Sequence, residues 1–159
     1  MPNRPAVPDD VLARYEFHEW RQGLIVLAVA HPQEWADILE SLRGFSLLAS
    51  DILKPGGPKT DIANKFDRSL LANGWKEKTF DTRIVVDETE YVSPTHSVDC
   101  YKNRVALEVE WNNKDPFYDR DLNNFRLLFE LRTIDVGVNA DLAESAQDAD
   151  RKHGDGDRS

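Results

Sequence analysis

The segment Ser97-Val-Asp-Cys-Tyr-Lys-Asn-Arg-Val-Ala-Leu-Glu-Val-Glu-Trp111 decides how this chain is read. From Arg104 to Trp111 it alternates strictly: Val105, Leu107, Val109 and Trp111 share one face of a strand, and Ala106, Glu108 and Glu110 share the other. Taken alone, this is the ordinary pattern of a half-buried strand with acids toward water. Ser97–Tyr101 supplies the other arm of a hairpin. A two-residue turn at Lys102-Asn103 pairs Cys100 with Val105 and Asp99 with Ala106, which puts Asp99 on the face of Glu108 and Glu110. The diagonal from Asp99 to Glu108 then spans about 7–8 Å between backbones, within reach of two carboxylate arms closing on one ion. A three-residue loop would turn Asp99 to the other side. Three acids on one face repel unless something cationic sits among them, and a hard, oxygen-preferring divalent cation such as Mg²⁺ suits that need.

Upstream, Trp35, Ile38, Leu39 and Leu42 fall at i, i+3, i+4 and i+7, an amphipathic helix with Gly44 as its stop. Pro55-Gly-Gly-Pro58 is a loop. A second helix, capped by Thr60 or Asp61, buries Ile62, Phe66 and Leu70 and ends at Asn73-Gly74. Leu24–Ala30 reads equally as helix or buried strand. Strand signals begin at Thr82, with Arg83–Asp87 rich in β-branched residues. Downstream, a third helix over Asp121–Leu131 buries Leu122, Phe125, Leu128 and Phe129, and Ile134–Val138 is a short last strand. Helices, a β-meander, a helix and a strand describe an α/β fold, with a mixed sheet flanked by helices.

The ends differ from this body. Residues 1–14 are proline-rich and read as an irregular arm; residues 15–138 form the folded domain. Residues 139–159 are small, polar and charged and read as a disordered tail with almost nothing to bury. The chain has 159 residues, 20 Lys and Arg against 29 Asp and Glu, and a formal charge of −9, which excludes a generic basic nucleic-acid coat. A single cysteine excludes an internal disulfide and a cysteine-based zinc cluster. The longest apolar run, Leu24–Ala30, is too short to cross a bilayer, so the chain is expected in the cytoplasm with no membrane partner.

Asp99, eight intervening residues, then Glu108-Val109-Glu110 resembles the active-site pattern of the PD-(D/E)XK nuclease superfamily. Glutamate at 110, where most members carry lysine, makes it similar to the BamHI/BglII-like type II restriction endonucleases. Pro32-Gln-Glu-Trp35 and the helix after it are similar to that family's N-terminal helix. The resemblance implies a restriction-endonuclease-like fold and Mg²⁺-dependent hydrolysis of double-stranded DNA to 5′-phosphates, with Mn²⁺ as a possible substitute. It implies that Asp99, Glu108 and the Val109 carbonyl hold the metal, and that Glu110 holds a second metal or orients and deprotonates the attacking water. Asn112 and Asn113 follow the catalytic strand where relatives face DNA, and an Asn amide can read adenine edges; both also suit a strand end before a turn. Cutting both strands of a symmetric site favours a homodimer. The family continues past the strand matching Ile134–Val138 with further helices and strands, whereas this chain runs into its polar tail. It reads as a C-terminally shortened member, and the alternative is an inactive remnant that only binds DNA or protein.

Other features carry less. His96 lies three residues before Asp99, but a lone histidine at a strand start is more often a hydrogen-bonded surface residue. Lys114, Arg120 and Arg126 suit phosphate contacts or plain solvated charge. Lys54–Thr60 lacks phosphate-loop spacing. Cys100 points to the core without a partner base.

Overall fold

Pro32 stands at the first position of a helix, where its missing N–H is not needed, and the longest helix, α3 (Pro32–Ile52), starts there. The computed structural model describes residues 7–52, 59–92, 96–110 and 116–142. Before α3 come α1 (Asp9–Leu12) and α2 (Gly23–Ala30), and after it α4 (Lys59–Ala72). Then follow β1 (Lys76–Phe80), β2 (Arg83–Val86), β3 (Thr89–Val92), β4 (His96–Lys102), β5 (Val105–Glu110), α5 (Pro116–Glu130) and β6 (Val136–Asp141). Four strands form one mixed sheet in the order β1-β4-β5-β6, and β2 and β3 form a separate hairpin. The neighbours β1, β4 and β5 are antiparallel, whereas β6 runs parallel to β5, with α5 as the crossover that a parallel pair requires.

The sheet is covered on both faces, which is why β5 is buried from Val105 through Glu108. On one face Cys100, Val105, Leu107 and Val136 pack with Leu27, Trp35, Ile38, Leu42, Phe66 and Leu70 of α2, α3 and α4. On the other, Phe80, Val98 and Ala106 pack with Phe125 and Leu128 of α5 and with Ile134. Gly137 on β6 admits this layer: a Cβ there would lie 2.5 Å from the Phe125 ring.

The apolar stripe Trp35, Ile38, Leu39, Leu42 is buried as expected. It does not stop at Gly44, because Phe45 continues it and packs edge-on against Phe66 at 6.4 Å. Leu24–Ala30 is helical. β1 has no counterpart in the periodicity reading: four of its five residues are exposed, so no alternation marks it. The α5 stripe is turned from the expected one. Asp121, Phe125 and Leu128 are buried, while Leu122 and Phe129 are 45% and 46% exposed.

Both ends of the domain reach further than composition suggests. Val7 and Val11 are buried, and Arg43 grips Asp10 with two hydrogen bonds of 2.7 and 3.0 Å, fixing α1 on α3. The last strand runs to Asp141 rather than Val138, and Leu142 is 1% exposed, its N–H donating to the Glu110 carbonyl at 3.0 Å. The tail boundary at 139 is therefore corrected: parallel pairing to β5 recruits polar residues that hydropathy assigns to solvent. Residues 143–159 lie outside the described residues. No helix among the described residues is long and apolar enough to cross a membrane.

Candidate active site

The turn between β4 and β5 falls at Asn103-Arg104, both with positive φ (46° and 69°), a left-handed pair typical of tight hairpins. The expected turn at Lys102-Asn103 is thus one residue early. Lys102 is the last strand residue and pairs with Val105, Tyr101 with Ala106, and Cys100 with Leu107. Three tertiary anchors fix this register. Lys102 Nζ donates to Asp37 Oδ2 at 2.8 Å and to the Asn73 carbonyl at 2.7 Å. The Asn103 amide donates to Glu34. Arg104 donates to Asp135 Oδ1 at 3.1 Å and to the Arg132 carbonyl at 2.6 Å. Asp37 also accepts from Trp75 Nε1 at 3.0 Å and from Gln33 at 3.2 Å. Burial pushes the Asp37 pKa up, but hydrogen bonds from Lys102, Trp75 and Gln33 more than offset it and hold the group below its usual range.

Alternation from Tyr101, opposite Ala106, keeps Asp99 on the Glu108 face, and an irregularity in the β1–β4 register lies at the same point. On β4, three steps from Val98 to Tyr101 oppose two on β1, from Lys78 to Lys76, so β4 carries a bulge at Asp99-Cys100. Bulges re-aim side chains and interrupt pairing. The β4–β5 ladder ends at Cys100↔Leu107, and beyond it Asp99 Oδ2 takes the Val109 backbone N–H at 3.2 Å. There the Asp99 carboxyl stands beside that of Glu108. Glu108 is only 8% exposed. Burial, then the hydrogen bond and charge of Asp99, push its pKa up to about 9.

Glu110, two residues on, meets a different carboxylate. Its hydrogen bond with Asp121 of α5, followed by burial, raises it to about 7. Asp121 is 5% exposed and accepts from the Asn139 amide at 3.5 Å. Sequence reasoning missed Asp121 as a site residue. The available signal was an acid at i, i+4, i+7 spacing with Phe125 and Leu128, on the side of the helix that must be buried. Asp67 of α4 lies close enough to Asp99 that burial and then the Asp99 charge raise its pKa.

The structure therefore brings Asp99 to Glu108 and Glu110 to Asp121. Asn112, Asn113 and Lys114 lie outside the described residues. Arg120 and Arg126 are exposed, with Arg126 paired to Glu130 at 3.2 Å. Cys100 is buried, and burial followed by the surrounding carboxylates raises its thiol to about 12, which leaves it inert.

All the converging donors are oxygens, which suits a hard cation. Two neighbouring carboxylates repel unless positive charge lies between them, so the pair has a place for a cation. Among the described residues no three His, Cys, Asp or Glu side chains converge tightly enough to enclose a metal unaided. A cation on Asp99 and Glu108 would complete its sphere with backbone, water or substrate oxygens.

Residues 15–144, about four-fifths of the chain, match the sequence model of a family described as restriction endonuclease BglII/BglIII. Among curated proteins, none matches the chain.

Proposed function

The chain belongs to the BglII/BglIII restriction endonuclease family, the type II site-specific deoxyribonucleases, and we propose which of its residues hydrolyse DNA and how. The reading is carried by the position of Asp99, whose carboxylate takes the Val109 N–H at 3.2 Å and so stands beside the buried Glu108. These two carboxylates, with the Val109 carbonyl, would hold Mg²⁺, for which Mn²⁺ can substitute. When bound, the cation supplies positive charge to the phosphoryl oxygens and acidifies water.

The protein's own residues do the rest. Glu110, held by Asp121, orients the attacking water and takes its proton. The water oxygen bonds to phosphorus in line with the O3′ atom. The P–O3′ bond breaks, the O3′ is protonated from solvent, and the products carry a 5′-phosphate and a 3′-hydroxyl. Asn112 and Asn113 contact the DNA beside the cut, and two copies of the chain act together on the two strands.

The test is plasmid cleavage by the purified chain with Mg²⁺ or with chelator, followed by end analysis. Nicked or linear products should form only with the metal, and their 5′ ends should accept radiolabelled phosphate only after phosphatase treatment. Ends that label directly would show the opposite bond to be the one cut.

A further inference from the structure

The main sheet ends on one side in β1 and on the other in β6. β1 guards its edge with the exposed charges Lys76, Glu77 and Lys78. β6 has no such guard, since Val136-Gly-Val-Asn-Ala-Asp141 carries no lysine, arginine or proline. The Leu142 N–H donates to the Glu110 carbonyl while Glu110 pairs with Asp141, which fixes the phase of the parallel ladder. Val138 and Ala140 therefore turn their backbone groups to β5, and Gly137 and Asn139 turn theirs outward. Among the described residues nothing takes up those outward groups.

Beside this edge lies a cavity of about 420 Å³, within the size range of ligand pockets. Residues 14–18 form its far wall. The Tyr15 hydroxyl, donating to the Leu42 carbonyl at 2.8 Å, and Phe17, edge-on to Trp35 at 6.4 Å, hold that wall in place. Leu24, Leu27 and Ile38 line the cavity, and Val138 and Ala140 close it from β6. An open strand edge beside an apolar cavity matches an extended polypeptide. Its backbone pairs with Gly137 and Asn139, and every second side chain enters the cavity.

Charge sets the remaining side chains. On the opposite face of β6, Asn139 and Asp141 pair with Glu108 and Glu110, and Asp121 of α5 accepts from the Asn139 amide at 3.5 Å. Against these acids stands Arg120, 4.0 Å from Asp121. A strand added to β6 turns its other side chains toward this acidic face, which favours lysine or arginine.

We propose that β6 is a docking edge for an extended segment of another protein, one that alternates apolar and basic residues. The proposal stands or falls independently of the nuclease chemistry. Fluorescence polarisation of a labelled heptapeptide of alternating lysine and valine, titrated with the full chain, tests it. A peptide of the same composition with its valines in one block controls for charge alone. The alternating peptide should bind at least about tenfold tighter than the block peptide. Asn139→Pro removes an outward N–H that β5 does not use, at an edge position that tolerates proline. It should weaken binding about tenfold or more with the parent's melting temperature retained, because a peptide carbonyl loses its donor. Asn139→Ala keeps that N–H and should bind like the parent. Ala140→Phe fills the cavity from β6 and should weaken binding as Asn139→Pro does. Equal binding of the two peptides overturns the proposal. So does parental affinity in folded Asn139→Pro or folded Ala140→Phe, or an equal loss in Asn139→Ala.

Discussion

Asp99 accepts the Val109 backbone N–H at 3.2 Å beyond the last rung of the β4–β5 ladder, filling with a carboxylate the place a strand carbonyl would take. The bulge that allows this sets one acid from β4 against one from β5 and leaves both with a shared need for a proton or a cation.

That need makes metal-free stability depend on pH. Glu108 titrates near 9 when folded against a reference of 4.5, so the folded state binds the extra proton between those values. Stability should be highest at about pH 5 and fall toward pH 9, with a slope of up to about 1.4 kcal/mol per unit. Glu108→Gln should flatten the curve, as read by melting in chelator from pH 5 to 9. A parent curve that rises with pH would contradict the raised Glu108 pKa.

Asp37 ties α3 to the catalytic hairpin through Lys102 and Trp75. Asp37→Ala leaves a half-buried ammonium and an indole N–H short of their acceptor, and should cost about 3–5 kcal/mol in urea unfolding. Lys102→Met in the same background should recover part of that loss, since it removes the stranded charge.

Two glycines should respond with opposite signs. Gly44 lies inside α3 with nothing within 4 Å of an added Cβ, so Gly44→Ala should stabilise by about 0.5–1 kcal/mol. At Gly137 the added Cβ meets the Phe125 ring at 2.5 Å, so Gly137→Ala should destabilise by about 1–3 kcal/mol. Thermal unfolding of both variants checks the packing of α3 and of α5 together.

These positions also show what the sequence could and could not disclose. The faces of β5 were legible because alternation has a period of two. A turn displaced by one residue moves the pairing sum by two, so the side of the sheet survives the error. The turn itself was not legible: Arg104 has a positive φ and is held there by Asp135 and Arg132, contacts about 30 residues away in sequence. The bulge at Asp99 depends on β1, whose exposed pattern carries no signal. Asp121 was hidden because an acid beside Leu122 looks like a helix start, and only packing on β6 shows which side turns inward. Leu142 was lost in a polar stretch whose burial comes from backbone pairing rather than hydropathy.

Glu110 separates the chemistry from the fold. It is only partly buried, so its removal should leave melting near the parent's. Glu110→Ala should nevertheless lose about 10²–10⁴-fold in cleavage rate. Glu110→Lys should not rescue it, because an ammonium there competes with the cation held by Asp99 and Glu108. Single-turnover cleavage of all three proteins decides the point.

Cleavage of supercoiled plasmid in Mg²⁺ by Asp99→Asn, beside the parent at equal concentration, tests the catalytic assignment most directly. The substitution keeps an oxygen for the Val109 N–H and so keeps the bulge, but it removes the charge that would hold the cation. The parent should linearise or nick the plasmid, and Asp99→Asn should leave it intact with its fold retained by circular dichroism. An Asp99→Asn protein that cuts as fast as the parent would contradict the assignment of this face as the active site.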